Sequence, residues 1–144
     1  MGCPNFSGQR FSAFVLEVVA ATTGQGGAAA RLETCELLPP GDTWGFPKYP
    51  SKTVILPPEA DLATELRRFV ERNGAYLSES DCFLGTWINP HTGYCYLDIT
   101  THCDDLDRAR QVARTLSAEQ GRNIVALYNA KLEQTVYLWD DVRS

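Results

Sequence analysis

The sequence predicts an α+β domain built on an antiparallel β-sheet with two main helices, and three observations carry that prediction. Two strand-like runs, 82–88 and 94–101, flank the turn sequence Asn-Pro-His-Thr-Gly. Two other segments place apolar residues at helical spacing between clear start and stop signals. The order from residue 82 to residue 139 is strand, strand, helix, strand, strand, which suits an antiparallel sheet carrying a helix on one face.

Residues 1–10 read as a loose terminus. The run FSAFVLEVV (11–19) is rich in β-branched and aromatic residues. Phe14, Leu16 and Val18 alternate along it, which predicts a strand. A Gly-rich turn follows, and RLETCELL (31–38) is expected to return as a second strand, with a short helix as the alternative. Segment 39–52 contains four prolines, two glycines and the aromatics Trp44, Phe46 and Tyr49. Its prolines argue against a regular helix or a central strand. A connection of that length in a small domain is often functional, and its aromatics argue against disorder. TVIL (53–56) is expected to be a short strand.

Leu62, Leu66, Phe69 and Val70 make an apolar stripe in the segment starting at Pro57. Prolines and acids open this helix, and Asn73-Gly74 is its expected stop. The second helix, 104–121, has Asp104 or Asp105 as cap, Gly121 as stop, and Leu106, Ala109, Ala113 and Leu116 as its stripe. Strands 123–129 and 134–139 complete the pattern. One domain is therefore expected: N-terminal strands and a Pro/aromatic loop over 1–56, a helix over 57–77, and a β-β-α-β-β unit over 82–139.

The chain has 144 residues, enough to bury roughly 70% of its unfolded surface without a metal or disulfide. Its net charge is −5 and acids are interspersed with arginines. That disfavours a protein that coats nucleic-acid backbone, and it gives little support to an acidic inhibitor of a nucleic-acid enzyme. The apolar run at 11–21 is too short to span a bilayer and carries Glu17, so neither a membrane span nor a secretion signal is expected. Five cysteines without a C-x-x-C pair read as free thiols in a reducing, cytoplasmic setting.

Strand parity sorts the candidate ligands. Tyr94, Tyr96, Asp98, Thr100 and His102 share one face of the strand, and Cys95, Leu97, Ile99, Thr101 and Cys103 share the other. Zinc would need about four converging ligands, and parity parts Cys95 from His102 while His91 sits in the turn. Cys82, His91, Cys95, His102 and Cys103 therefore make no expected metal site. The carboxylates Asp98, Asp104, Asp105 and Asp107 read as helix-capping and solvated groups rather than cation ligands. No G-x-S-x-G, P-loop or dinucleotide fingerprint occurs, so no catalytic residue and no cofactor are assigned. One enzyme or ligand-binding alternative is a site of Asp98, His102 and Cys103 at the sheet edge, with Cys103 near a helix N-terminus.

The segments GTWINPHTGYCYLDI (85–99) and DDLDRARQVARTLSAEQGRNIVALYN (104–129) resemble the tail of a group of small uncharacterised bacterial and phage proteins. In that group a Gly-x-Trp hairpin ending in Tyr-Leu-Asp leads into an Ala/Arg-rich helix and a further strand. KYPSKTVILPP (48–58) is similar to a segment of its cyanobacterial members. The resemblance spans residues 47–138 and implies one fold unit, with no activity, cofactor or catalytic residue attached to it.

The expected function is that of a small accessory or regulatory protein, non-enzymatic, working through a protein partner or self-association. The expected surface is Trp44, Phe46 and Tyr49 in the loop with Trp87, His91, Tyr94 and Tyr96 on the hairpin. Such residues are enriched at protein interfaces.

Overall fold

A computed structural model describes residues 5–139. In chain order the elements are α1 (Gln9–Gln25), β1 (Gly27–Arg31), β2 (Glu36–Leu37), β3 (Trp44–Pro47), a 3-10 turn at Pro50–Lys52, β4 (Val54–Leu56), α2 (Leu62–Leu77), β5 (Phe83–Ile88), β6 (Cys95–Cys103), α3 (Leu106–Gln120), β7 (Ala126–Asn129) and β8 (Gln134–Tyr137). The domain is α+β with an antiparallel sheet, and its described residues hold three α-helices where two main ones were expected.

The sheet grows from the β5–β6 hairpin, which is paired from Phe83↔Thr100 to Ile88↔Cys95. Its turn is closed by the Asn89 carbonyl, which accepts from the N–H groups of Thr92 and Gly93 at 3.2 and 2.7 Å. Gly93 takes φ +77°, the left-handed conformation that glycine adopts without a Cβ penalty. The strand order is β2-β1-β5-β6-β3-β7-β8, with every pair antiparallel. The far edge of β6 is shared: β4 pairs with Cys95 to Leu97, and β3 pairs with Thr100 to Cys103.

Three sequence expectations fail here for identifiable reasons. Residues 31–38 are neither one strand nor a helix: β1 and β2 pair across a tight turn at 32–35, where Cys35 takes φ +54°. Residues 11–19 are helical, because Phe11, Phe14, Val15, Val18 and Thr22 form the buried stripe at offsets of three, four, seven and eleven. Leu16, the middle of the expected strand pattern, is 63% exposed. The Pro-rich segment does supply a central strand, β3, between β6 and β7. Pro47 is tolerated because β7 pairs only with Trp44 and Gly45, so no neighbour on that side asks for its missing N–H.

The first helix of the expected pair, α2, starts after an Asp61 cap and runs past Asn73. Asn73 breaks the helical φ/ψ without ending the helix, since its buried amide donates to the Phe69 carbonyl at 3.0 Å. The other helix matches expectation: the Asp105 carboxylate caps α3 by accepting from the Arg108 N–H, and Gly121 ends it at φ +69°.

Directly opposed residues of an antiparallel ladder share a face, which fixes the position of every helix. Helices α1 and α2 bring Phe11, Phe14, Val18, Leu66 and Phe69 against Ala30, Leu84, Leu97 and Ile99. Helix α3 brings Ala109 and Ala113 against Trp44, Phe46 and Leu127. The register puts all of these strand residues on the same side. The three helices therefore cover one face of the sheet and leave the other to side chains and connections.

Cys35 is disulfide-bonded, while Cys82, Cys95 and Cys103 are free. The chain does not carry five free thiols, so its cysteines no longer argue for a reducing compartment. Among the described residues no helix is long and apolar enough to cross a membrane.

The helical reading of α1 makes a direct prediction. Phe14→Ala, in the core, should cost about 3–5 kcal/mol, and Leu16→Ala should stay within about 0.5 kcal/mol. Urea unfolding of the two variants checks this; equal losses would support the alternating strand instead.

Candidate functional site on the concave sheet face

The face opposite the helices is strongly curled. Strand β8 lies four places from β5 in the sheet, a separation of roughly 19 Å if the sheet were flat. Yet the rings of Trp87 on β5 and Tyr137 on β8 have centroids 6.4 Å apart. Tyr96, opposite Trp87 on β6, stands 5.3 Å from it, and His91 in the hairpin turn meets Tyr137 at 5.2 Å. One end of the concavity is thus walled by Trp87, Tyr96, Tyr137 and His91. Tyr94 and Ile55 at its mouth are 42% and 40% exposed.

Further along, small residues make room for side chains that lie across the strands. A Cβ on Gly85 would run into the Thr100 hydroxyl, and one on Gly45 would come within 3.1 Å of the His102 ring. His102 packs edge-on against Phe83, with centroids 5.0 Å apart. Burial pushes the pKa of His102 down, which favours its uncharged form.

Between these two groups sits Asp98. Its carboxylate accepts a 2.7 Å hydrogen bond from the Thr53 hydroxyl. Arg122 donates to the Thr53 carbonyl at 2.7 Å. Burial dominates the Asp98 environment and lifts its pKa to about 6, against the smaller opposing effects of the Thr53 hydroxyl and the Arg122 charge. A small cavity of about 40 Å³ adjoins this group, lined by Pro47, Pro50, Thr53, Ile55, Tyr96 and Arg122 among others.

The expected interface residues divide. Trp87, His91, Tyr94 and Tyr96 gather at the hairpin end of the concave face. Trp44 and Phe46 do not join them: they are 6% and 3% exposed, buried under α3 on the opposite side. The sequence suggested exposed loop aromatics there because the prolines hid the strand. Tyr49 donates from its hydroxyl to both Glu79 carboxylate oxygens at 2.8 and 3.0 Å.

Asp98, His102 and Cys103 divide in the same way. The first two lie on the concave face, and the Cys103 thiol turns to the helix side, 3.6 Å from the Asp105 carbonyl. Cys103 and His102 both line an open cleft of about 470 Å³, with Lys48, Asp81, Thr101 and Arg108. Burial pushes the thiols of Cys82 and Cys95 up to about 12 and about 11.

A charged cluster with no local sequence signature ties the end of β3 to the α2–β5 connection. Lys48 donates to Glu79 at 2.9 Å and to Asp81 at 3.0 Å. These bonds hold both carboxylates below their usual range and raise the lysine. Among the described residues, Glu79, Asp81 and Cys82 are the one group that brings three potential metal-ligand atoms together, within 4.8 Å. The Lys48 ammonium already supplies the positive charge those carboxylates bind. Separation of 31 to 33 residues along the chain is what concealed the cluster.

No protein-family model, curated protein or solved structure matches this chain.

Two predictions come from these environments. Folded Asp98 keeps its proton to about pH 6, whereas an unfolded carboxyl loses it near 4. Its contribution to stability is present below the unfolded value and is lost as pH rises through the folded one. Relative to Asp98→Asn, the native chain should lose on the order of 2–3 kcal/mol of unfolding free energy between pH 4 and pH 7. Denaturant titrations of both proteins across that range measure it, and parallel curves would contradict it. In the second, a maleimide reagent should label Cys103 in the folded protein, with Cys82 and Cys95 slower by roughly 100-fold or more until denaturant is added. Mass mapping of labelled peptides reads the order.

Proposed function

We propose that this protein is a non-enzymatic binding module that docks a protein partner on the hairpin end of its concave sheet face. The docking residues are Trp87, His91, Tyr94 and Tyr96, with Ile55 beside them. One observation carries the reading: all three helices pack on the opposite face, so these rings are not taken up by the helical core. Tyr and Trp on a paired β-hairpin also lose little conformational entropy on docking, which makes them efficient contact residues.

The chemistry of the face agrees with a binding role. Asp98 and His102 share it, and the free thiol nearest in sequence, Cys103, has the opposite parity on β6 and lies by the Asp105 carbonyl. The net charge of −5 disfavours nucleic-acid backbone as the occupant.

The test is site-specific photo-crosslinking in the native cell. A photoreactive residue replacing Tyr94 should give one discrete protein adduct, and the same residue replacing Leu16 on the exposed side of α1 should give none. A Trp87→Ala background should reduce the Tyr94 adduct at least about tenfold, the loss expected of a central aromatic contact. An adduct of twice the chain mass identifies the partner as a second copy. Equal crosslinking from both positions, or none from position 94, would overturn the proposal.

A further inference from the structure

Strand β5 turns two aromatic rings to the concave side, Phe83 and Trp87, and their neighbours on β1 differ. The register that pairs Gly27 with Trp87 and Ala29 with Gly85 brings Arg31 beside Phe83. The Arg31 guanidinium lies over the Phe83 ring, 4.7 Å from its centroid. Trp87 has Gly27 at the equivalent place, and so no side chain reaches across from β1 to cover its ring. A Cβ on Gly27 would come within 2.8 Å of the Thr86 carbonyl oxygen, which closes that place to any larger residue. Gly27 and Ala29 are only half-buried, so solvent reaches the ground beside Trp87.

Charge at this end of the face is one-sided. No lysine or arginine occurs between Arg72 and Arg108, a stretch that holds both strands of the hairpin. None occurs between Lys52 and Arg67, which holds β4. Arg122 approaches from the far side of Tyr96, but it is tied to the Thr53 carbonyl at 2.7 Å and stands near the Asp98 charge. Elsewhere the chain covers its own rings: Lys48 lies over Tyr49, Lys52 over Tyr76, Arg67 over Phe11 and Arg114 over Trp139. Among the described residues no cation lies over Trp87 or Tyr96. The face of an aromatic ring carries partial negative charge and attracts a cation, tryptophan most strongly.

Given that a protein partner docks on this face, we propose that it does so through an arginine of a basic segment, whose guanidinium lies over Trp87 as that of Arg31 lies over Phe83. Arginine suits the place better than lysine, because its planar head stacks on a ring and is more weakly hydrated. Its stem runs along Gly27 and Ala29, where β1 offers nothing larger than a methyl group. An uncharged side chain of the same shape gains the burial without the attraction of the ring face. The net charge of −5 draws a basic segment toward the protein and speeds the encounter.

Fluorine NMR of the native chain labelled with 5-fluorotryptophan tests the assignment, with two capped Gly/Ser peptides as probes. One peptide carries two arginines, and the other carries citrulline, the uncharged isostere, in their place. The arginine peptide should shift the Trp87 resonance saturably and leave Trp44 and Trp139 unmoved, since Trp44 is buried and Trp139 already lies under Arg114. The citrulline peptide should bind about fivefold more weakly or worse, the effect of one cation on one ring. Read from the Gly27 and Thr86 amides, Trp87→Phe should keep the preference for arginine and Trp87→Leu should lose it. If neither variant folds, the comparison of the two peptides on the native chain decides alone. Equal affinity for both peptides, or equal shifts of all three tryptophans, would overturn the arginine assignment. A Tyr94 photo-adduct whose partner segment carries no arginine would also overturn it, while leaving the docking face in place. Absence of that adduct with the arginine preference intact would count against the docking reading alone.

Discussion

The structure depends on one strand. Strand β6 is paired along its length, with β5 on one side and with β4 and then β3 on the other. Strict alternation along it sorts the chain into two environments. Leu97 and Ile99 point into the core under α1 and α2, and Cys103 packs against the core under α3. Tyr96, Asp98 and His102 point to the concave side. A one-residue slip of this register would exchange the two sets and bury a carboxylate and a histidine in the apolar core. The hydrophobic contrast between the faces is what makes such a slip costly.

The same alternation explains why the site is both aromatic and polar. A sheet curled this far cannot hold bulky side chains at every inward position, and Gly45 and Gly85 give up theirs to the His102 ring and the Thr100 hydroxyl. The rings collect at the hairpin end, where the β8 strand swings close enough for Tyr137 to meet Trp87. Asp98 sits between the crowded ends, half-buried, with the Thr53 hydroxyl as its hydrogen-bond donor. A half-buried carboxylate at that position costs stability at neutral pH, and such a cost is commonly found where a protein binds or switches. The convex side shows the opposite economy, with large apolar residues packed under helices and few polar contacts among them.

What was legible in the sequence was the part governed by local periodicity. The two faces of 94–103 could be read from alternation alone, as could α3 with its Asp105 cap and Gly121 stop. Residues 11–19 were misread because Phe14 and Val18 satisfy both periods. The decision rests on Leu16 against Phe11, Val15 and Thr22, and the full seventeen-residue length of α1 favours the helix. Strand β3 was hidden by its prolines, since the sequence does not show that its neighbour ends before Pro47. The gathering of Trp87, Tyr96 and Tyr137, and the Lys48–Glu79–Asp81 cluster, depend on sheet order and curl. Those are set by contacts distant in sequence, and no local pattern encodes them.

The partition between a helix-covered core and an open aromatic face can be measured on the tryptophans, because Trp44 and Trp87 stand on opposite sides of the sheet. Fluorine NMR of the protein labelled with 5-fluorotryptophan, recorded with and without a soluble paramagnetic agent, reports the exposure of each ring. The Trp87 resonance should broaden while that of Trp44 stays sharp, and addition of native cell extract should shift Trp87 alone. Equal broadening of the two, or a shift of Trp44 with Trp87 unchanged, would contradict the assignment of the concave face as the working surface.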